Sequence, residues 1–194
     1  MSKSRLEAFS DGVLAIIITI LVLELKVPHG EDLATLKPLL PVFLGYVLSF
    51  VYVGIYWNNH HHMLLACKRI SGAALWANLH LLFWLSLMPF VTGWMGENHF
   101  AQLPTALYGV VLLMAAIGYW ILQRTLIAAE GPDSVLGRAI GGDRKGNLSL
   151  LIYAAAIPLA FLDSRLAQAC YVIVALMWLV PDRRIEKALA ARDG

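Results

Sequence analysis

Six runs of apolar residues, separated by short polar links, organise this chain. The first opens at Ser4 and goes to Val27, where Pro28 cannot continue a helix. Ser4 and Glu7 have the Ser-x-x-Glu spacing of a capping box, which predicts a helix start there. At ~1.5 Å per residue such a helix covers roughly 36 Å, enough to cross a bilayer. A second run goes from about Pro38 to Leu65, ending in His60-His61-His62, with Lys68-Arg69 behind it. A third goes from about Gly72 to Met95, with Pro89 late in it. A fourth, about Leu103 to Leu122, stops at Gln123-Arg124. The fifth, about Leu148 to Leu162, and the sixth, about Leu166 to Val180, are short for spans, which predicts upright helices or a thinned bilayer. Pro181 stops the sixth. The pattern predicts an all-α polytopic membrane protein with six transmembrane helices, a single domain over 1–194, a polar loop at about 124–146 and a charged tail at 182–194.

Composition agrees. The chain is 59% hydrophobic and 14% charged, with a mean hydropathy of +0.69, which is membrane composition and excludes an ordinary soluble core. The formal net charge of +2 is uninformative; its placement is not. Six spans put both termini on one side. Of the 15 Lys and Arg residues, only Lys26, Lys37 and Arg165 fall on the other. The positive-inside rule then puts both termini, the 124–146 loop and the tail in the cytoplasm of a cell (inner) membrane protein. Cys67 and Cys170 fall toward opposite faces, so no bridge within the chain is expected. Asp11 and Glu24 inside the first run argue against a cleaved signal peptide.

The first run is odd for a membrane span. The uncharged stretch between Asp11 and Glu24 covers roughly 18 Å of a hydrocarbon core about 30 Å thick. At least one charge therefore sits at membrane depth, where charged groups face protein or water. Helix one is expected to be interior, or to line something wet. At ~100° per residue one narrow face carries Arg5, Gly12, Ile16, Thr19, Ile20 and Leu23, and Asp11 falls about 120° away, toward neighbouring helices. A buried core helix with a capping Ser-Asp pair fits the pattern equally well.

Three helices bring polar residues to one depth. Ser10 and Asp11 on the first, Asn58, Asn59 and His60 on the second, and Trp76, Asn78 and His80 on the third all lie roughly 10 Å inside the same membrane face. Buried polar groups need partners, so a hydrogen-bonded knot is expected; the alternative is a set of interfacial side chains reaching for the headgroups, which suits His61, His62 and Trp57. A metal site is not expected. Consecutive histidines on a helix point ~100° apart, and neither His-Glu-x-x-His nor Cys-x-x-Cys occurs. No nucleophile with base and orienting acid is placed by the sequence, and no nucleic-acid partner is expected.

Arg5-x-x-x-Phe9-Ser10-Asp11, continuing Gly-Val-Leu-Ala-Ile16 and followed by Thr19 and Leu23-Glu24, resembles the signature of the transmembrane protein 175 family, potassium channels of animal endosomes and lysosomes with bacterial relatives. A single copy of the motif resembles the bacterial members; the animal ones carry two. The resemblance implies a homotetramer of six-span subunits with helix one lining the pore, passing K⁺ over Na⁺ and other monovalent cations with no cofactor. It implies Ile16 as the main constriction, with Thr19 or Ile20 and Leu23 lining further rings, and Arg5, Phe9, Ser10 and Asp11 packing against neighbouring helices. There is no Thr-Val-Gly-Tyr-Gly filter and no Arg-rich voltage-sensing helix, so selectivity falls to side chains. The competing reading is a small-molecule or proton-coupled transporter, or a membrane enzyme subunit, that uses the polar cluster as its site. The motif does not recur in the second half, so inverted repeats give that reading no support.

Overall fold

The structure, a computed structural model, describes residues 2–132, 134–140 and 142–179. Pro181 and the expected tail at 182–194 lie outside the described residues. All regular structure among the described residues is helical. In a chain this apolar that follows from the bilayer, which leaves backbone groups no partner but their own helix.

Helix α1 (Lys3–Leu23) starts and stops earlier than its sequence predicts. Its N-cap is Ser2, without a side-chain cap bond, and Ser4 lies inside the helix. The Ser4 and Ser2 hydroxyls meet at 3.2 Å, and Glu7 faces Lys3 at 3.8 Å in place of a capping box. At the other end Leu25 N–H bonds Val22 C=O at 3.1 Å, a tightened last turn. Val27 precedes Pro28 and so is pushed away from helical backbone angles. A 3₁₀ helix (Leu33–Leu39) then leads into α2 (Leu40–Leu65), with Pro41 in its first turn, where a missing N–H costs nothing.

The third apolar run is two helices, α3 (Gly72–Ser86) and α4 (Met88–Glu97). Pro89 explains the break. It has no N–H to give the Leu85 carbonyl, and its ring crowds that turn. The fourth run is longer than its apolar part: α5 spans Gln102–Glu130, 29 residues. Arg124 does not end it, because its guanidinium lies over the Trp120 ring at 5.2 Å. Glu130 fixes its end by accepting from the backbone N–H groups of Lys68 and Arg69. Gly131, at φ +98°, then turns the chain through a conformation that side chains resist. The expected loop therefore shrinks to a short link containing α6 (Val135–Ile140). Asp143 caps α7 (Arg144–Leu162) by accepting from Gly146 N–H at 3.0 Å. Asp163 alone separates α7 from α8 (Ser164–Leu179).

α5 is the centre of the bundle, with α3 along one side and α7 along another. α8 covers α7, and α2 packs on α1, α4 and α8. At Gly118 a Cβ would stand 3.0 Å from the Leu81 Cα, which is how α3 and α5 come so close. Among the described residues five helical stretches are long and apolar enough to cross a membrane, and α8 is a shorter apolar helix of 16 residues. Phe43, Phe83, Phe90, Leu151 and Leu176 are exposed around the outside, as lipid-facing side chains are.

Candidate functional site

α1 has two opposed faces. Leu6, Ser10, Leu14, Ile17 and Leu21 are buried against the rest of the chain. Roughly 140° round the helix, at ~100° per residue, Arg5, Gly12, Ile16, Thr19, Ile20 and Leu23 are all exposed. Ile16 is 58% exposed and Leu23 78%. One stripe anchors the helix within its own subunit; the other is left uncovered by this chain. Thr19 Oγ1 donates to the Ile16 carbonyl at 2.8 Å. Its proton is thus committed to the backbone, which leaves the oxygen its lone pairs as an acceptor.

Behind the uncovered face runs a buried chain of hydrogen bonds joining three helices. Ser10 Oγ donates to the Leu6 carbonyl at 2.9 Å and accepts from Asn78 Nδ2 at 3.0 Å. Asn78 Oδ1 lies 2.7 Å from His60 Nε2. Because the Asn78 amide is already spent as a donor, its oxygen must accept, which assigns the proton to His60 Nε2. Ser10, Asn78 and His60 are 0%, 0% and 2% exposed, so every member is satisfied without water.

Other residues expected in the knot, and Phe9 of the motif, lie elsewhere. Asp11 is exposed and accepts from Trp57 Nε1 at 3.0 Å, on the neighbouring helix but outside the buried chain. Asn59 turns its amide onto its own helix, donating to the Ile55 carbonyl at 2.8 Å. Trp76 is 76% exposed. His80 is half-buried and meets the Trp84 ring edge-on at 6.3 Å. Phe9 is 49% exposed. Equal depth brings residues to one level, but azimuth decides which of them meet.

A second buried polar cluster was not legible. Ser49 Oγ stands 2.6 Å from Thr92 Oγ1 and 3.0 Å from the Tyr108 hydroxyl, joining α2, α4 and α5. Tyr52 donates to the Tyr171 carbonyl at 2.6 Å, and Tyr171 to the Thr105 carbonyl at 3.0 Å. The available signal was hydroxyls recurring inside otherwise apolar runs.

Beyond the membrane-depth residues, Lys26 pairs with Glu97 at 2.5 Å, and that hydrogen bond and charge raise the Lys26 pKa. Both side chains are largely exposed, so the pair contributes little to stability. Cys67, just past α2, is buried and donates to the Met63 carbonyl. Burial, with Glu130 nearby, pushes its thiol up to about 12. Cys67 is expected not to react with maleimide at neutral pH until the protein is unfolded; intact-mass measurement checks this, and rapid labelling of the native protein is the contrary result.

Long apolar helices with lipid-facing flanks and internally satisfied polar chains define a multi-pass helical membrane protein. The profile described as endosomal/lysosomal potassium channel TMEM175 matches residues 5–89. Over 189 residues the chain is 57% identical to a potassium channel of Chryseobacterium sp. (strain P1-3), covering 97% of this chain and 98% of that one. It is 32% identical to a potassium channel of Streptomyces collinus, covering 91% of each. Its fold matches the crystal structure of a lysosomal potassium-selective channel TMEM175 homolog from Chamaesiphon minutus, with a TM-score of 0.80 at 28% identity, over 93% of this chain and 97% of that one. The chain belongs to the TMEM175 family of potassium channels and is not an enzyme.

Proposed function

We propose that this chain is the six-span subunit of a homotetrameric channel that passes K⁺ passively, in preference to Na⁺, across the cell membrane, with both termini in the cytoplasm. Four copies of α1 surround the axis. The observation that carries the reading is the uncovered stripe of α1. Ile16, Thr19, Ile20 and Leu23 face away from their own subunit, opposite a fully packed face. A ring of Ile16 side chains is a dry constriction, and such rings gate by dewetting. Thr19 then supplies a ring of oxygens whose protons are spent on the Ile16 carbonyl. Lone pairs alone meet the ion, which suits a partly dehydrated cation.

Purified protein in liposomes with a K⁺ gradient is expected to pass K⁺ with no added co-substrate and no proton gradient. Flux that requires either one overturns the channel reading in favour of a coupled transporter. Thr19→Val keeps the shape and removes the oxygen. It is expected to reduce K⁺/Na⁺ discrimination severalfold, read as a shift in reversal potential, while Thr19→Ser retains it. Unchanged selectivity in Thr19→Val removes Thr19 from the ion path.

A further inference from the structure

Away from α1, the half of the bundle that holds the N-terminus of α7 contains a cleft between α2 on one side and the packed pair α5 and α7 on the other. Its volume is ≈ 50 Å³. At ~10–15 Å³ for each water-sized occupant, it takes a group of roughly four or five non-hydrogen atoms. Six aromatic side chains from four helices line it: Tyr52, Tyr56, Tyr119, Trp120, Tyr153 and Trp178. Asp143 is the single charged residue in the lining.

Two of these rings use their polar atoms locally. The Tyr119 hydroxyl donates to the Asn59 carbonyl at 3.3 Å, and Trp178 Nε1 donates to Ser149 Oγ at 2.8 Å. The wall is rich in aromatic rings, whose quadrupoles attract cations. Two of the rings already do so toward side chains: Arg124 lies over Trp120 at 5.2 Å, and Lys145 near Trp178 at 5.8 Å from its centroid. A bare alkali cation does not suit such a site, because a mainly apolar wall does not replace its hydration shell. A quaternary ammonium does, being weakly hydrated, apolar outside and positive throughout. Its four carbons round one nitrogen match the size of the cleft.

We propose that this cleft binds a small quaternary-ammonium group, trimethylammonium in size, between the aromatic faces and the Asp143 carboxylate. The proposal stands on the cleft alone and does not depend on the conduction path.

The test uses choline and its uncharged carbon isostere, 3,3-dimethylbutan-1-ol, titrated into the full chain in a maltoside detergent and followed by saturation-transfer NMR. Choline is expected to bind saturably and about tenfold tighter than the isostere. Trp178→Leu is expected to abolish that preference. Asp143→Asn, which keeps the oxygen that caps α7, weakens choline binding severalfold and leaves the isostere unchanged. Lys145→Gln removes a competing cation from Trp178 and tightens choline binding. Each variant is compared at an unchanged size-exclusion profile. Equal affinity for choline and the isostere shows an apolar pocket without cation preference and overturns the proposal. So does the absence of saturable choline binding, or binding indifferent to both Trp178→Leu and Asp143→Asn.

Discussion

Replacing Ile16 with Asn is expected to raise K⁺ current about tenfold or more. Ile16 is 58% exposed on the face of α1 that its own subunit leaves uncovered. Under the proposed assembly, four such side chains close a gap that an ion crosses without water or compensating oxygens. An amide in the same volume wets the ring. Every ~1.4 kcal/mol taken from that barrier is about a tenfold gain in rate, and partial hydration of a monovalent cation exceeds that readily. Single-channel or liposome-flux recording checks it, with Leu14→Asn as the contrast. Leu14 is 2% exposed on the opposite face, so Leu14→Asn is expected to lower the yield of folded protein and not to raise current. A larger current from the buried-face variant, or none from Ile16→Asn, puts the constriction elsewhere.

The second large effect is on assembly. Asn78→Leu is expected to be the most damaging change in the motif region. It removes the link that satisfies both Ser10 and His60, which are otherwise sealed from water. The His60 Nε2 proton then loses its partner, at about 1–3 kcal/mol, and Ser10, still donating to the Leu6 carbonyl, loses the bond it accepts. Ser10→Ala breaks one link and is expected to be milder. Asp11→Ala is milder still, because Asp11 is exposed and its partner Trp57 is 47% exposed. Thermal midpoints of the detergent-solubilised protein rank the three. The reverse order, with Asp11→Ala the worst, means that Asp11 is sealed in the assembled state by contacts beyond its own chain.

The sequence alone places Asp11 in the same knot as Ser10 and Asn78, and the reason it stands outside is geometric. A hydrophobic run states how deep a residue lies, since depth follows the 1.5 Å rise. Which neighbour it faces depends on helix tilt and rotation, which sequence does not record. Ser10 and Asp11 are adjacent in depth but ~100° apart in azimuth, and only Ser10 looks inward. Trp76 and Asn78 separate in the same way, one exposed and one buried. The helical class and the placement of the apolar runs were legible because the bilayer forces both. Breaks and ends were less so. Pro89 divides the third run, whereas Arg124 fails to end the fourth because a tryptophan ring accommodates it. The Ser49–Thr92–Tyr108 cluster was hidden because tyrosine in an apolar run reads as an apolar residue until a hydroxyl partner is seen.

The face of α1 that meets the permeating ion is tested most directly by thiol block of K⁺ flux. Single cysteines are placed at 16, 19 and 23 on the uncovered stripe and at 14, 17 and 21 on the packed one, in protein reconstituted into liposomes. Cys170 is replaced beforehand, while Cys67, buried and poorly ionised, stays silent. A small methanethiosulfonate reagent is expected to stop K⁺ flux through Ile16→Cys, Thr19→Cys and Leu23→Cys, and to leave Leu14→Cys, Ile17→Cys and Leu21→Cys conducting. Flux that survives modification at 16, 19 and 23 contradicts a pore lined by this face of α1.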